Sequence, residues 1–580
     1  LPSARSSSPP PRAVAVTVVA VVAAVLVGVV IAIVAGGGGS HTTGTSADPA
    51  RVVPASAPLY ASADVRLKGE KRSATLAVGR ALTHQPNPYL RLLSVLQTPG
   101  SPAPNFSRDV APWLGNRAGI FLTSLRSSGP LLTLIQQGLL GQTPSTGAFP
   151  FGSAAGGGSQ GAIVLGTRDT RKAKAFLQAA ASRAGAHATS YRGVAYELSG
   201  GDVALGMVRR FAVIGSDAGI HAVIDTTLGG PSLARAPSYS SLLAFTPAKA
   251  VAHVYANAGA GGGRSATGLG GLLGLLPGAG QINVSLVPSG SSLALDVDTL
   301  AASSAGAQLR PFTSESAHAL GELPGDSWFA VGLGDVGHML AADVQRLQGL
   351  ASIAAPPGPA APAAGLNLRS LVEALTTPLK VLGANTPEAK RSFQSWMGSA
   401  GIFAAGTSLL ELKGAVVIAS NNAAGSRAAV GKLASRLRAM GDSVQPASVP
   451  GTDAAVSARL SGLPVALVIA SGRAAGGQSR FVIGLGEPSV AAALNPSSVL
   501  ASAASFSSAA AALGEGAQPS MIFDVPALLS VLEGIGLTED PSISGFVPYL
   551  RSLTTVDGGA HPLDARVERF KLVLGLRPGA

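Results

Sequence analysis

The sequence predicts an α+β protein: an N-terminal transmembrane helix followed by two tandem homologous domains, each an antiparallel sheet with packed helices. Three observations predict it. Hairpin-like strand pairs alternate with helical stretches, which argues for an antiparallel sheet over a doubly wound parallel one. Five landmarks recur in one order at an offset of roughly 270 residues, too long a period for a solenoid of short repeats. An uncharged apolar run, Ala13 to Ala35, stands near the start.

That run reads "AVAVTVVAVVAAVLVGVVIAIVA". As a helix it is about 34 Å long, enough for a hydrocarbon core of about 30 Å. Its Val and Ile are tolerated as helix in lipid, where backbone groups must pair within the segment. Arg5 and Arg12 precede it, and the first charges after it are Asp48 and Arg51. Residues 1–12 are therefore expected in the cytoplasm and everything from Gly36 onward outside, a single-pass arrangement in the cell membrane. A cleaved signal peptide ending at Ile33-Val34-Ala35 is the alternative, but its apolar region would be only about 7 to 15 residues. No Cys follows the run to carry a lipid anchor. Residues 36–50, "GGGGSHTTGTSADPA", read as a low-complexity, flexible tether.

Residues 51–310 form the first expected domain and 311–580 the second. Copy one opens on "VPASAPLYASADV" and copy two on "LPGDSWFAVGLGDV". "FAVIGSDAGIHAVID" from Phe211 answers to "FVIGLGEPSVAAALN" from Phe481, each a strand, a turn and a helix. "SYSSLLA" from Ser238 answers to "SFSSAAA" from Ser505, and "AHVYAN" from Ala252 to "MIFDVP" from Met521. "GAIVLGTRD" and "GAVVIAS" read as strands, followed by the helical "TRKAKAFLQAAASRAG" and "SRAAVGKLASRLRAMG". Each copy is expected to close on a hairpin, Ile282 to Leu300 and Val556 to Leu576. In the last strand Phe570, Leu572, Leu574 and Leu576 alternate, which predicts one buried face.

The remaining landmark is "WLGNRAGIF" from Trp113, echoed by "WMGSAGIF" from Trp396. Thr386 as N-cap, Pro387 at the first helical position and Gly398 as the stop predict a helix carrying Phe393 and Trp396 on one face. Ser107, Val110 and Gly115 give a shorter version. Each Trp is expected to seal a helix end against the sheet; stacking on a ligand is the rival reading. Three Gly- and Pro-rich stretches, 141–161, 258–280 and 352–365, read as surface insertions. The middle one carries "LGGLLGLLPG", read first as a loop end tucked onto the core, with exposed Leu meeting a bilayer or a greasy ligand as the alternative.

Composition narrows the chemistry. The formal charge is +12, but its densest patches, Arg66 to Arg72, Thr167 to Lys174 and Asp564 to Lys571, all contain acids. These read as solvated faces, with attraction to anionic head groups or wall polymers as the alternative, and no nucleic-acid partner is expected. The absence of Cys excludes disulfides, thiol catalysis and Cys-ligated metals. "GLGDVG" from Gly332 satisfies a lone G-x-G-x-x-G, but no acid follows about 20 residues on, and it reads as a tight strand-to-helix turn. The eight histidines are dispersed; His253 and His221 align with Ile522 and Ala491 of copy two, which argues against catalytic roles. No Walker A, G-x-S-x-G or S-x-x-K is present. No catalytic, cofactor-binding or metal-ligating residue is nominated and no cofactor is expected, which disfavours an enzyme.

"LPGDSWFAV", "PWLGNRAGIFLTS", "DTRKAKAFLQ", "SYRGVAYEL", and "FAVIGSDAGIHAVID" followed by "PSLARAPSY" together resemble the bacterial family called domain of unknown function 3352 (DUF3352). The likeness covers most of the chain after the tether and is looser in copy two. It implies an envelope-associated protein with an N-terminal anchor or signal and no assigned activity. The expected function is binding: of an envelope protein, a lipid or other apolar ligand, or an anionic wall polymer. The alternative is an envelope hydrolase or transferase with a site in the cleft between the copies, and a purely structural spacer is a third reading.

Overall fold

The computed structural model describes residues 48–83, 106–124, 160–200, 202–257, 279–301, 311–337, 387–408, 410–459 and 465–577. These fall into two compact units. One gathers the described residues of Val19–Arg310 with Ala512–Ala517 and Gly545–Ala580, the other Pro311–Ala511 with Gln518–Ser544.

The first run of elements is β1 (Leu59–Asp64), α1 (Gly69–Thr83), β2 (Leu114–Leu122), β3 (Gly161–Thr167), α2 (Thr170–Arg183), β4 (His187–Tyr191) and β5 (Val194–Leu198). It continues with β6 (Val203–Val208), β7 (Phe211–Ser216), α3 (Asp217–Thr227), α4 (Pro237–Leu243), β8 (Ala252–Asn257), β9 (Ala279–Pro288) and β10 (Ser292–Ala301). The second run is α5 (Pro311–Gly321), β11 (Ser327–Leu333), α6 (Pro387–Trp396), β12 (Met397–Ala405), β13 (Lys413–Ser420), α7 (Ala423–Ala439), β14 (Ser443–Pro446) and β15 (Thr452–Arg459). Then come β16 (Leu467–Arg473), β17 (Ser479–Leu485), α8 (Gly486–Leu494), α9 (Ala504–Leu513), β18 (Gln518–Asp524), β19 (Leu553–Pro562) and β20 (Val567–Leu576).

The expected α+β class, antiparallel strands with packed helices, is what these elements form. In the first unit the strand order is β4-β5-β6-β7-β3-β2-β1-β8-β9-β10-β20-β19, every pairing antiparallel. In the second it is β14-β15-β16-β17-β13-β12-β11-β18, again antiparallel throughout. From β14 to β18 the second order repeats the first from β4 to β8, pairing for pairing. Even the isolated bridges recur, Pro54 to Ser232 and Pro324 to Val499.

Local chemistry explains the shared elements. Asp169 caps α2 by accepting from the Lys172 amide, and Asn422 caps α7 by accepting from the Gly425 amide. The apolar stripe of α2 buries Ala173, Leu177 and Ala181, while that of α7 buries Val430, Leu433 and Leu437. Trp113 and Trp396 are 1% and 2% exposed, so both belong to the core. Trp113 packs on Phe176 of α2 at 5.4 Å between ring centroids, and Trp396 on Phe481 of β17 at 5.2 Å. Each also accepts, through its carbonyl, an amide just past the second strand that follows it: Arg168, after β3, at 2.9 Å and Asn421, after β13, at 2.8 Å.

Three expectations need correction. Gly115 and Gly398 stop no helix; each is the second residue of its strand. At Gly115 a Cβ would come 2.7 Å from the Gly166 carbonyl oxygen, so a close strand crossing demands glycine there. Residues Phe106–Val110 form a single π turn, so Ser107 lies inside that turn and not before an α-helix. In β20 only Leu576 of the four alternating apolar residues is buried, while Val567 and Val573 are buried on the opposite face. The closing hairpin expected in 311–580 also pairs with the first run, along β10. Opposite charges set that register: Asp296 faces Lys571 and Asp298 faces Arg569.

Ala13 to Ala35, residues 36–47, Thr386, the 352–365 stretch and nearly all of 141–161 and 258–280 lie outside the described residues. Among the described residues, no helix is long and apolar enough to cross a membrane.

Candidate functional site

Among the described residues, the first unit holds three polar clusters, two of them built on tyrosine and histidine. The outermost sits where β4 and β5 meet α3. Asp217 opens α3 and His221 stands one turn later, on the same face. The Tyr191 ring stacks on the His221 ring at 3.8 Å with 20° between planes. Tyr196 Oη lies 2.5 Å from Asp217 Oδ1 and 2.8 Å from His221 Nε2. Tyr196 is pushed well above the usual tyrosine range by burial first and the Asp217 bond second, so its hydroxyl keeps its proton. That proton goes to Asp217, which leaves His221 Nε2 to donate to Tyr196 Oη. Arg192 reaches Asp225 at 2.9 Å, and its guanidinium carbon lies 5.9 Å from the Tyr191 ring centroid. The Tyr196 hydroxyl is thus engaged on both sides, by Asp217 and by His221. The half-exposed Tyr191 ring and the exposed Arg192 are left as a rigid contact surface.

The second cluster is interior. Tyr60 on β1 faces Tyr255 on β8, and Ser62 faces His253. Tyr239 of α4 meets both Tyr60 and Tyr255 edge-on, at 5.9 and 5.2 Å, and its hydroxyl lies 3.0 Å from His253 Nε2. Burial, and then the Arg117 charge, lowers His253 to about 4, so the imidazole is neutral at neutral pH. The Tyr60 hydroxyl is buried with no hydrogen-bond partner.

The third cluster fastens the closing hairpin. Arg569 donates to both carboxylate oxygens of Asp298, at 2.6 and 2.8 Å, and to the Phe245 carbonyl at 2.6 Å. It also lies 3.3 Å from Asp296. The side chains of Asp298, Asp296 and Arg569 are 0%, 5% and 12% exposed. Asp296 Oδ1 and His561 Nδ1 are buried without partners. Burial raises Asp298 to about 6 against the pull of Arg569. Glu568, on the other face of β20, is raised to about 7 by burial alone.

Among its described residues, the second unit holds one comparable group. Arg480 donates to the Ala493 carbonyl at 2.6 Å and to Glu322 at 3.0 Å, beside a recess with room for about one water molecule. The Gly332 turn is held structurally: the Gly334 amide donates to Ser316 Oγ at 2.9 Å, and a Cβ at Gly332 would overlap the Ser316 carbonyl. That amide is therefore already engaged and is not available to a phosphate. Among the described residues no group of three or more His, Cys, Asp or Glu could hold a metal ion.

Cross-strand partners also revise an alignment. Tyr60 pairs with Phe121 as Ala330 pairs with Phe403, within the shared "GIF" of β2 and β12. Since Tyr60 pairs with Tyr255 and Ala330 with Ile522, it is Tyr255 that stands at the position of Ile522, and His253 at that of Ser520.

The family model described as "Protein of unknown function (DUF3352)" matches residues 16–576. The chain belongs to the DUF3352 family. No curated protein matches it. Among solved structures, crystal forms I and III of TP0453 match at 12% identity and a TM-score of 0.24. They cover 45% and 44% of this chain and 81% of their own; so low a score adds nothing to the fold above. The clusters of this DUF3352 chain join residues far apart in sequence, 271 positions for Asp298 and Arg569. The outermost cluster lies within "SYRGVAYEL" and "FAVIGSDAGIHAVID", two stretches that carried the family resemblance, though neither showed that they meet. A second signal was that His221 and His253 have no histidine at the matching positions of the later run.

Proposed function

We propose that this protein is a membrane-anchored, extracytoplasmic member of the cell envelope, built from two tandem homologous α+β domains, that acts by binding a partner. The observation that carries the reading is the twofold recurrence of one strand order alongside Tyr–His clusters that, among the described residues, stand in the first run and not in the second. Duplication followed by divergence leaves a scaffold twice and specific surface chemistry once. The apolar run Ala13 to Ala35, with Arg5 and Arg12 before it, supports the anchor and its direction. The Tyr191–Arg192 surface, braced from behind by His221 and Asp225, is the contact point this reading favours.

The absence of native cysteine makes a direct test simple. Single cysteines replacing Ser6 and Arg192 are probed in intact cells with a membrane-impermeant maleimide. Labelling at 192 and protection at 6 is expected; the reverse pattern overturns the topology. A photo-crosslinking residue at 192 in the same cells should capture a discrete envelope component. Failure to capture one there, while the protein remains folded, removes the binding surface from the proposal.

A further inference from the structure

We propose that the exposed faces of α2 and α7 each bind a flexible, phosphate-bearing anionic polymer of the envelope, an inference that rests on the binding function proposed above and names its partner class. The three densest basic patches of the sequence differ in how many cations they leave exposed: Lys68 in the first, Arg566 in the third, and four in the second. In the first, Arg66 donates to the Leu114 and Ala111 carbonyls, and Lys71 to that of Ala250. In the third, Arg569 and Lys571 are absorbed by Asp298 and by the Leu513 carbonyl. In the second, only Arg168 is used this way, donating to the Pro112 and Ala111 carbonyls. Arg171, Lys172 and Lys174 stay exposed on α2, and Arg183 follows at its end.

Two features separate this patch from an ordinary solvated face. Helix α2 contains no acid, and Arg171 and Lys172 stand in its first turn, where the helix dipole disfavours cations. The Asp169 cap offsets that cost locally, and the Lys172 ammonium touches Asp169 at 3.8 Å. The second feature is recurrence. At the same place in the second unit, α7 again carries no acid and exposes Arg427, Lys432, Arg436 and Arg438. The residues of the two helices differ and the charge is retained. Arg427 meets Asp453 at 3.6 Å, an exposed pair of the weak kind.

Geometry selects the partner. At about 100° per residue the cations of each helix fan over an arc of about 180°, which a flexible chain can follow and a flat bilayer cannot. The apolar stripes of both helices are buried in their own units, which leaves no apolar face for membrane insertion. Arginine provides half or more of the cations on each helix, which suits forked recognition of phosphate. Neither helix exposes an aromatic residue on which a base could stack.

The test uses the full chain in detergent and purified poly(glycerol phosphate), with a neutral glucan as control. Binding to the phosphate polymer alone is expected, with log K falling linearly in log salt. Arg171→Glu with Lys174→Glu, and separately Lys432→Glu with Arg438→Glu, should each weaken it at least tenfold while the protein stays folded by circular dichroism. Arg51→Glu with Arg235→Glu makes the same change in net charge elsewhere and should leave binding within twofold. Equal loss in that control reduces the effect to net charge and overturns the site. Tighter capture by phosphatidylglycerol vesicles than by the polymer, or tighter binding of single-stranded DNA, overturns the partner class. A failed polymer assay beside a successful envelope crosslink at 192 would sink this inference and leave the proposed binding function standing.

Discussion

The two runs share a strand order and differ in what they place inside it. Around Phe121 the first run packs Tyr60, Tyr255 and Tyr239, and lets the bare Gly119 receive the Tyr60 ring. Around Phe403 the second packs Ala330, Ile522 and Phe506, and the bare Gly401 receives the Leu323 side chain. The glycine is common to both because each fills the same notch with a different large side chain. One backbone therefore accepts either a hydroxyl-bearing aromatic core or a plain apolar one. The difference teaches that the fold depends on volume and register, while polarity was free to diverge.

The largest expected contrast comes from the two buried arginines. Arg569→Met leaves Asp298 fully buried and Asp296 nearly so, both without their cation, and should cost about 3–5 kcal/mol. Arg480→Met releases Glu322, which is 31% exposed and can hydrate, so about 1–2 kcal/mol is expected. Urea unfolding of the two variants checks this directly. Equal losses would mean that the hairpin clasp is no more essential than the surface-facing pair, and the comparison would fail.

A pH series sharpens the same contrast. His253 is lowered to about 4 in the folded chain, so the unfolded chain binds its proton first as pH falls. Stability from this group is complete above about 6.5 and is lost as pH drops towards the folded value. His253→Gln should flatten that acid limb by about 2 kcal/mol. The equivalent Ser520 does not titrate, and Ser520→Ala should leave the limb unchanged. Glu568 behaves with opposite sign. Its folded value, raised to about 7 by burial, makes the charged form costly above that pH and relieves the cost below it. Glu568→Gln should therefore stabilise the protein at pH 8 by about 1 kcal/mol, after discount for partial exposure, and not at pH 5. A gain at both pH values would assign the effect to packing.

Much of the fold was legible because it is local. The unbroken apolar run of "GAIVLGT" and the Asp169-capped pattern of "TRKAKAFLQ" specify a strand and a helix within a few residues. The hairpin's destination was not legible, since its register is set by Asp296 and Asp298 against Lys571 and Arg569, far along the chain. Reading the apolar residues of β20 as the buried face failed for the same reason. Its most buried polar contact is an ion pair, and alternation alone cannot distinguish a paired arginine from a solvated one. The His253 alignment slipped by two residues because "AHVYAN" and "MIFDVP" share no identical residue that would fix their register. Only cross-strand partners reveal such a shift. The His221 cluster joins three elements, so the sequence showed its members and not their meeting.

The smallest effect is the most informative about α2 and α7. Arg171 stands in the first turn of α2, against the dipole, while Arg438 stands in the last turn of α7, along it. Arg171→Glu should raise stability by about 0.3–1 kcal/mol, and Arg438→Glu should lower it by a similar amount. Both positions are exposed, so packing contributes little to either change. Paired denaturation curves at low ionic strength, where the dipole is least screened, would resolve a difference of sign even where each magnitude is small. Opposite signs would mean that the cation at 171 is kept at a cost to its own helix, whereas the cation at 438 is explained by helix stability alone. Matching signs would remove that distinction and leave the recurrence of charge on the two helices as the sole argument for a shared anionic partner.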